Sequence, residues 1–284
     1  MLGYGYTLAW IGGFFFMMKA GFFDIDGTLI NIMRQQTRIT EPTRAAIRKL
    51  HAAGCKTFIA SGRPKAYLDP ELLEKGDFDG YVLMNGALVL YEGRVIYHQP
   101  LPKTDVKAIT ELCEQRGVEY ILEGAEHTYL KREFRGFEAF YQSIDVDTDF
   151  FVRDYDIDDL EIGKMEFYST EPLGGGLFTE LLQWPGLTGV MDPFHKKNLE
   201  LYAKDITKGS GILHALEALQ IPVAESFAFG DGVNDIEMMQ TVGYGIAMGN
   251  AQPQVKEIAA ATVPSVDDDG VAWGIEHLIL KGDA

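Results

Sequence analysis

Apolar and polar positions follow one another in repeated blocks that predict strand, loop and helix in turn. Ala20 to Phe23 is an apolar run that leads straight into Asp24-Ile25-Asp26-Gly27-Thr28. A short apolar run closed by glycine and polar residues predicts a strand buried on both faces that ends in a tight loop. Thr40-Glu41-Pro42 then opens a helix, with Thr40 as N-cap and Pro42 in the first turn. Apolar spacing at Ala45, Ile47 and Leu50 carries that helix to a stop at Gly54. Lys56 to Ala60 is a second strand, closed by Ser61-Gly62-Arg63-Pro64, where Pro64 starts the next helix. Tyr81 to Met84 is a third strand, ending at Asn85-Gly86. In order these give βαβαβ, which implies a parallel sheet with right-handed crossovers.

From residue 87 to about 190 the pattern changes. Ala87 to Tyr97, with Glu92-Gly93 in its middle, predicts a hairpin. A helix over Thr104 to Arg116 and short strands at Glu119 to Leu122 and His127 to Lys131 come next. A helical stretch to Gln142, an acidic run from Asp145 to Glu161 and a strand at Lys164 to Ser169 follow. A helix at Leu177 to Gln183 and a strand ending near Met191 complete the stretch. Strand-and-loop units then resume: Asn198 to Ala203, a helix from Lys208 to Leu219, Ser226 to Phe229, and Tyr244 to Met248. The expected organisation is an α/β core of residues 19–86 and 191–284 with an inserted α+β module at 87–190. Leu8 to Met18 is apolar but too short to span a bilayer, and no Lys or Arg precedes it. We read residues 1–18 as an upstream extension, with Met17 or Met18 as the start, in preference to the alternative that they form an extra strand or interaction segment.

Charge narrows the partners. The formal net charge is −17 over 284 residues, which disfavours nucleic acid and anionic membranes. Any phosphate site therefore needs local cations. Cys55 and Cys113 form no CxxC pair and fit a reduced, cytoplasmic protein.

The chemistry sits at the predicted strand ends. Asp24 is placed to attack an electrophile such as phosphorus, and Asp26 to donate or take a proton. Two carboxylates so close favour a divalent cation, and Mg²⁺ suits carboxylate and phosphate oxygens. The bland alternative is a surface turn capped by Asp. Ser61, at a strand end before a helix, is an anion-site hydroxyl or a plain N-cap. Lys208 directly precedes a helix that starts with glycine, which favours it over Lys204 as the phosphate cation. Asp231, Asn234 and Asp235 close another predicted strand. In a parallel sheet these ends share one edge, so they can converge. Met238-Met239 reads as helix core, and the acidic run as solvated surface.

These motifs, taken together and in this order, resemble the haloacid dehalogenase (HAD) superfamily of phosphatases. The first motif is Asp24 to Thr28, the second Ser61, the third Lys208 and the fourth Gly230-Asp231-Gly232-Val233-Asn234-Asp235. The insert resembles the C2B-type cap of the Cof-type or class IIB sugar phosphatases. Asn85-Gly86, Ile206-Thr207-Lys208-Gly209 and Ala247-Met248-Gly249-Asn250 add to that likeness. The resemblance implies a Rossmann-like core and a Mg²⁺-dependent phosphatase of small phosphorylated metabolites, sugar phosphates above all. It implies Asp24 as the nucleophile that becomes an aspartyl-phosphate and Asp26 as the acid and base. Mg²⁺ would be held by Asp24, the backbone carbonyl of Asp26 and Asp231, with Asp235 supporting it from behind those ligands or through water. Ser61 and the Gly62 N–H would hold phosphoryl oxygens, and Lys208 would pair with phosphate and with Asp24. Asn234 would touch the phosphoryl group or substrate, and Thr28 would steady the loop. Arg63 fits the site or the surface, and His195, Lys196 and Lys197 fit substrate contact or a solvated linker. Arg132 and Arg135 are further candidates in the cap. A phosphomutase of the phosphomannomutase type and a non-catalytic phosphate-binding module are the competing expectations. Oligomeric state stays open between monomer and dimer.

Overall fold

The computed structural model describes residues 8–11, 14–70, 77–143 and 148–280. Two compact units share the chain. The first comprises Met1–Gly62, Asp69–Tyr97 and Thr207–Ala284, the second Arg63–Leu68 and His98–Ile206.

An eight-stranded sheet forms the first unit. Its order is Ala261–Thr262, Tyr244–Ala247, Ser226–Gly230, Ala20–Phe23, Lys56–Ala60, Gly80–Leu83, Leu88–Tyr91 and Arg94–His98. The strands from 261 to 83 run parallel, and Leu88–Tyr91 is antiparallel to Gly80–Leu83. Ala20–Phe23 is fully buried and central, as its unbroken apolar run demands. Phe22 stacks on Phe58, and Phe23 on Phe229. Chain order reverses on either side of this strand, which is where open α/β sheets leave a crevice for ligands. The Glu41–Ala52 helix starts where Thr40 accepts from the Thr43 N–H, and it buries Ala46, Ile47 and Leu50. The Lys208–Leu219 helix is capped reciprocally by Thr207 and Ser210.

The second unit is a five-stranded antiparallel sheet ordered Leu187–Met191, Asn198–Ala203, Ile162–Tyr168, Glu119–Gly124 and Thr128–Leu130. Tyr120, Leu122, Met165, Phe167, Leu199 and Leu201 pack on one face with Ile109 and Cys113 of the Lys103–Arg116 helix and with Phe178. On the other, Ile121 and Leu130 meet Phe137, Tyr141 and Phe151. Among the described residues, no helix is long and apolar enough to cross a membrane.

Several expectations change. Asn198–Ala203 is a strand, but it lies in the antiparallel sheet and not in the parallel core. Its buried residues alternate, Leu199 and Leu201 in and Glu200 half out, which is the pattern of a strand with one buried face. The hairpin around Glu92-Gly93 forms, with both turn residues at positive φ, yet it extends the eight-stranded sheet. The units therefore divide at 97/98 and 206/207, where 87 and 190 were expected, and also at 62/63 and 68/69. Pro64 leads into a 3-10 turn, Lys65–Tyr67, in place of a helix start. The remainder of that predicted helix falls partly at 71–76, outside the described residues. Within the expected extension, Leu8–Ile11 pairs antiparallel with Phe14–Met17, so this stretch takes up strands.

Candidate active site

Three separate chain segments bring charge to the C-terminal edge of the parallel sheet. Asp24 leaves the central strand, its N–H donating to the Phe229 carbonyl at 3.0 Å. Asp231 and Asp235 lie on the turn that follows Ser226–Gly230. Lys208 arrives from the first turn of its helix, and not from the end of a parallel strand. Its ammonium, essentially buried, donates to Asp24 Oδ1 and to Asp235 Oδ1, both at 2.6 Å. Asp235 Oδ2 in turn accepts from the N–H groups of Asp231 and Gly232, each at 2.9 Å. Thr28 Oγ1 donates to Asp231 Oδ1 at 3.1 Å, tying the first acidic loop to the last. Gly27 is required where these loops meet. Its φ is +85°, and a Cβ there would lie 2.3 Å from Asp231 Oδ2.

Oxygens of Asp24, Asp231 and Asp235 lie within 4.8 Å of one another. Three carboxylates face one ammonium, and the electrostatics register the excess. Burial pushes the Asp24 carboxyl up against the pull of Lys208, and Asp235 and Asp26 push the same way as burial. Burial and Asp235 raise Asp231 to about 6. Burial opposes charge on Lys208, but Asp235 and Asp24 outweigh it and hold the ammonium protonated. A compact set of hard oxygen donors short of positive charge fits a small divalent cation. Asp235 already commits both oxygens, to Lys208 and to two backbone donors, so Asp24 and Asp231 fit direct ligation best.

Other sequence-derived candidates are placed as follows. The Asp26 side chain is exposed on the turn beside Gly27, outside the 4.8 Å group, though its charge reaches Asp24 and Asp231. Ser61 is buried at the end of Lys56–Ala60, and its carbonyl accepts from the Asn85 N–H at 3.2 Å. Gly62 abuts the Asn85 side chain, where a Cβ would approach Asn85 Oδ1 to 2.9 Å. Asn234 is exposed on the turn that carries Asp231. Arg63 belongs to the second unit. Lys204 is exposed in that unit, whereas Lys208 is buried among the aspartates. His195 and Lys196 are exposed on the turn before Asn198–Ala203. Arg132 pairs with Asp154 and Arg135 with Glu138, both at the surface of the second unit. Met238 and Met239 are core.

Sequence reasoning gave no role to the Met84-Asn85-Gly86 turn. All three residues have positive φ (50°, 55° and 109°) and are buried, and a Cβ at Gly86 would strike the Thr207 carbonyl beside Lys208 at 2.1 Å. Consecutive left-handed residues store strain that concentrates at functional sites. Asn-Gly after a strand was the only sequence signal. Lys164, buried with Glu123 in the second unit, also went unnoticed.

Comparison with known proteins agrees with this geometry. The family described as haloacid dehalogenase-like hydrolase matches residues 22–275. Phosphatase YwpJ of Bacillus subtilis (strain 168) is 27% identical, with 92% of this chain aligned to 100% of that protein. YkrA of the same organism is 30% identical over 92% of this chain and 98% of its own. Among solved structures, the HAD subclass IIB sugar phosphatase BT4131 superposes with a TM-score of 0.76 at 33% identity, covering 92% and 98% of the two chains. TM0651 from Thermotoga maritima superposes with a TM-score of 0.78 at 25% identity, covering 92% and 97%. A family match across most of the chain, joined to a parallel sheet with acidic loops at one edge, makes this protein a member of the haloacid dehalogenase-like hydrolases and a phosphatase of that family.

Proposed function

We propose that the protein is a Mg²⁺-dependent phosphatase of small phosphorylated metabolites, sugar phosphates foremost, that works through an aspartyl-phosphate. The observation that carries this reading is the Lys208 ammonium bridging Asp24 and Asp235 with Asp231 alongside. Lys208 orients the Asp24 carboxylate and offsets its charge, so an anionic phosphate can approach. An Asp24 oxygen then attacks phosphorus, and the bond from phosphorus to the leaving oxygen breaks. Asp26, exposed and next to the nucleophile's loop, gives its proton to that oxygen. The Asp26 carboxylate next takes a proton from water. The water oxygen bonds to phosphorus, the bond to Asp24 breaks, and inorganic phosphate leaves with both carboxyls restored. Ser61 and the Gly62 N–H hold phosphoryl oxygens, and Asn234 contacts the phosphate or substrate from the rim. Mg²⁺, held by Asp24, Asp231 and the Asp26 carbonyl with Asp235 behind them, would supply charge for the phosphoryl oxygens. The sugar-phosphate class draws support from the likeness to BT4131, a sugar phosphatase. Free, buried Cys55 and Cys113 support a reducing, cytoplasmic setting.

The test is phosphate release from a panel of sugar phosphates and an aryl phosphate, with Mg²⁺ or with EDTA, for wild type and Asp24→Asn. Release that needs Mg²⁺ and falls at least about a thousandfold in Asp24→Asn is expected. A folded wild type that releases no phosphate from any compound would defeat the reading.

A further inference from the structure

A polar bridge from outside the acidic cluster reaches the loop that carries it. Asn250 follows Gly249 just beyond the Tyr244–Ala247 strand and is exposed. Its Nδ2 donates to the Gly27 carbonyl at 2.8 Å, and its Oδ1 accepts from the Val266 N–H at 2.9 Å. The two partners fix which end of the amide is which, because a carbonyl needs a donor and an N–H needs an acceptor. Asn250 itself sits on a well-anchored turn. Gly249 N–H donates to the Pro264 carbonyl at 3.1 Å, and Lys256 Nζ donates to the Gly249 carbonyl at 2.6 Å. Two residues on, the Gln252 N–H donates to the Asp231 carbonyl at 3.0 Å. One turn thus grips both acidic loops, the last by a backbone N–H and the first by a side chain.

We propose that Asn250 is a positioning residue of the active site, holding the Asp24–Thr28 loop in register through the Gly27 carbonyl. The inference rests on the phosphatase reading. Gly27 lies between Asp26 and Thr28, so close to Asp231 that a Cβ on it would run into that carboxylate. Rotation of the Gly27 peptide displaces Asp26 on one side. On the other it strains the Thr28 hydroxyl bond to Asp231. No apolar residue can meet the Gly27 carbonyl and the Val266 N–H at once. Exposure makes the residue a weak contributor to the core, so its loss separates positioning from folding.

Asn250→Asp isolates the effect. It keeps an oxygen for the Val266 N–H and sets another oxygen against the Gly27 carbonyl. Aryl phosphate kinetics at saturating Mg²⁺, melting temperature, and hydrogen–deuterium exchange of peptides covering 24–31 are measured for wild type, Asn250→Asp and Asn250→Ala. The expected result for Asn250→Asp is a kcat lower by roughly 10- to 100-fold with KM within about threefold. Its melting temperature should stay within about 3 °C, and exchange over 24–31 should rise. Unchanged kcat and exchange in Asn250→Asp would overturn the proposal, as would a loss of activity matched by loss of folded protein. A wild type with no phosphatase activity defeats the reading of function instead. The proposal then stands or falls on the exchange arm alone, where unchanged exchange overturns it.

Discussion

Two buried lysines anchor the two units, and each is ringed by carboxylates. Lys208 meets Asp24 and Asp235. Lys164 meets Glu123 at 3.1 Å, Glu166 at 3.3 Å and Glu200 at 3.1 Å, and the Tyr141 hydroxyl donates to Glu166 at 2.9 Å. Similar chemistry is built in two ways. The Lys164 group lies mid-strand, and β-register sets its geometry: Glu123 faces Lys164 and Glu166 faces Glu200 across the sheet. The Lys208 group sits on turns beyond the strands, from short Asp side chains held by backbone N–H groups. Among the described residues, only this second arrangement brings three carboxylates within 4.8 Å of one another. Acid count around a lysine therefore does not mark a reactive site. Placement on loops that several distant segments share is what leaves room for substrate and cation.

Substituting each lysine by methionine divides the two groups most sharply. Lys208→Met should lower kcat for phosphate release by about 10²- to 10³-fold in folded protein. Lys164→Met should leave the kcat of folded protein within a few-fold, but urea denaturation should show about 3–5 kcal/mol lost, because buried carboxylates lose their counter-charge. Equal loss of kcat in both variants would erase the distinction.

The carboxylates come next. Asp235→Asn turns an amide N–H₂ toward either Lys208 or the Asp231 and Gly232 N–H groups, and should cost about 2–4 kcal/mol in the same denaturation. Burial pushes the Glu123 carboxyl well above the ordinary carboxylate range, against the pull of Lys164. Glu123→Gln gives up one of three acid contacts to Lys164 but relieves a buried carboxyl, so it should cost only about 1 kcal/mol in that denaturation.

The last effect is one of metal and pH. Asp231 titrates near 6 in the folded protein, above roughly 3.9 in the unfolded chain. The folded state thus holds more protons between those values, and metal-free stability falls as pH rises from about 4 to 6. Mg²⁺, held there as proposed, would take the deprotonated carboxylates and offset that loss. Its stabilisation, about 2.7 kcal/mol at a hundredfold excess over Kd, should be larger at pH 7.5 than at pH 5 and absent in Asp231→Asn. Calorimetric melting at the two pH values checks it.

The sequence reveals what is local. The apolar run into Asp24 and the Thr40 cap each carry their reason within a few residues. Lys208 was distinguishable from Lys204 because a helix start is visible in the chain. Asn198–Ala203 went to the wrong sheet because a six-residue strand does not announce its partners. Its Leu199 and Leu201 alternation was the available clue. Lys164 was invisible because its partners are fixed by register between strands. Asn250 was quoted only as part of a likeness, since its partner Gly27 lies 223 positions away.

The central strand has a further consequence in time. Asp24 and Lys208 are 184 positions apart, and the strand that closes the other side of Ala20–Phe23 begins later still, at Ser226. At roughly 5–20 residues per second, the ribosome needs about ten to forty seconds between making Asp24 and making Lys208. Throughout that interval the strand has one open edge and its aspartate has no counter-ion from Lys208. A nascent chain therefore lacks that ion pair, and on the proposed mechanism phosphate release waits until the last third of the polypeptide docks.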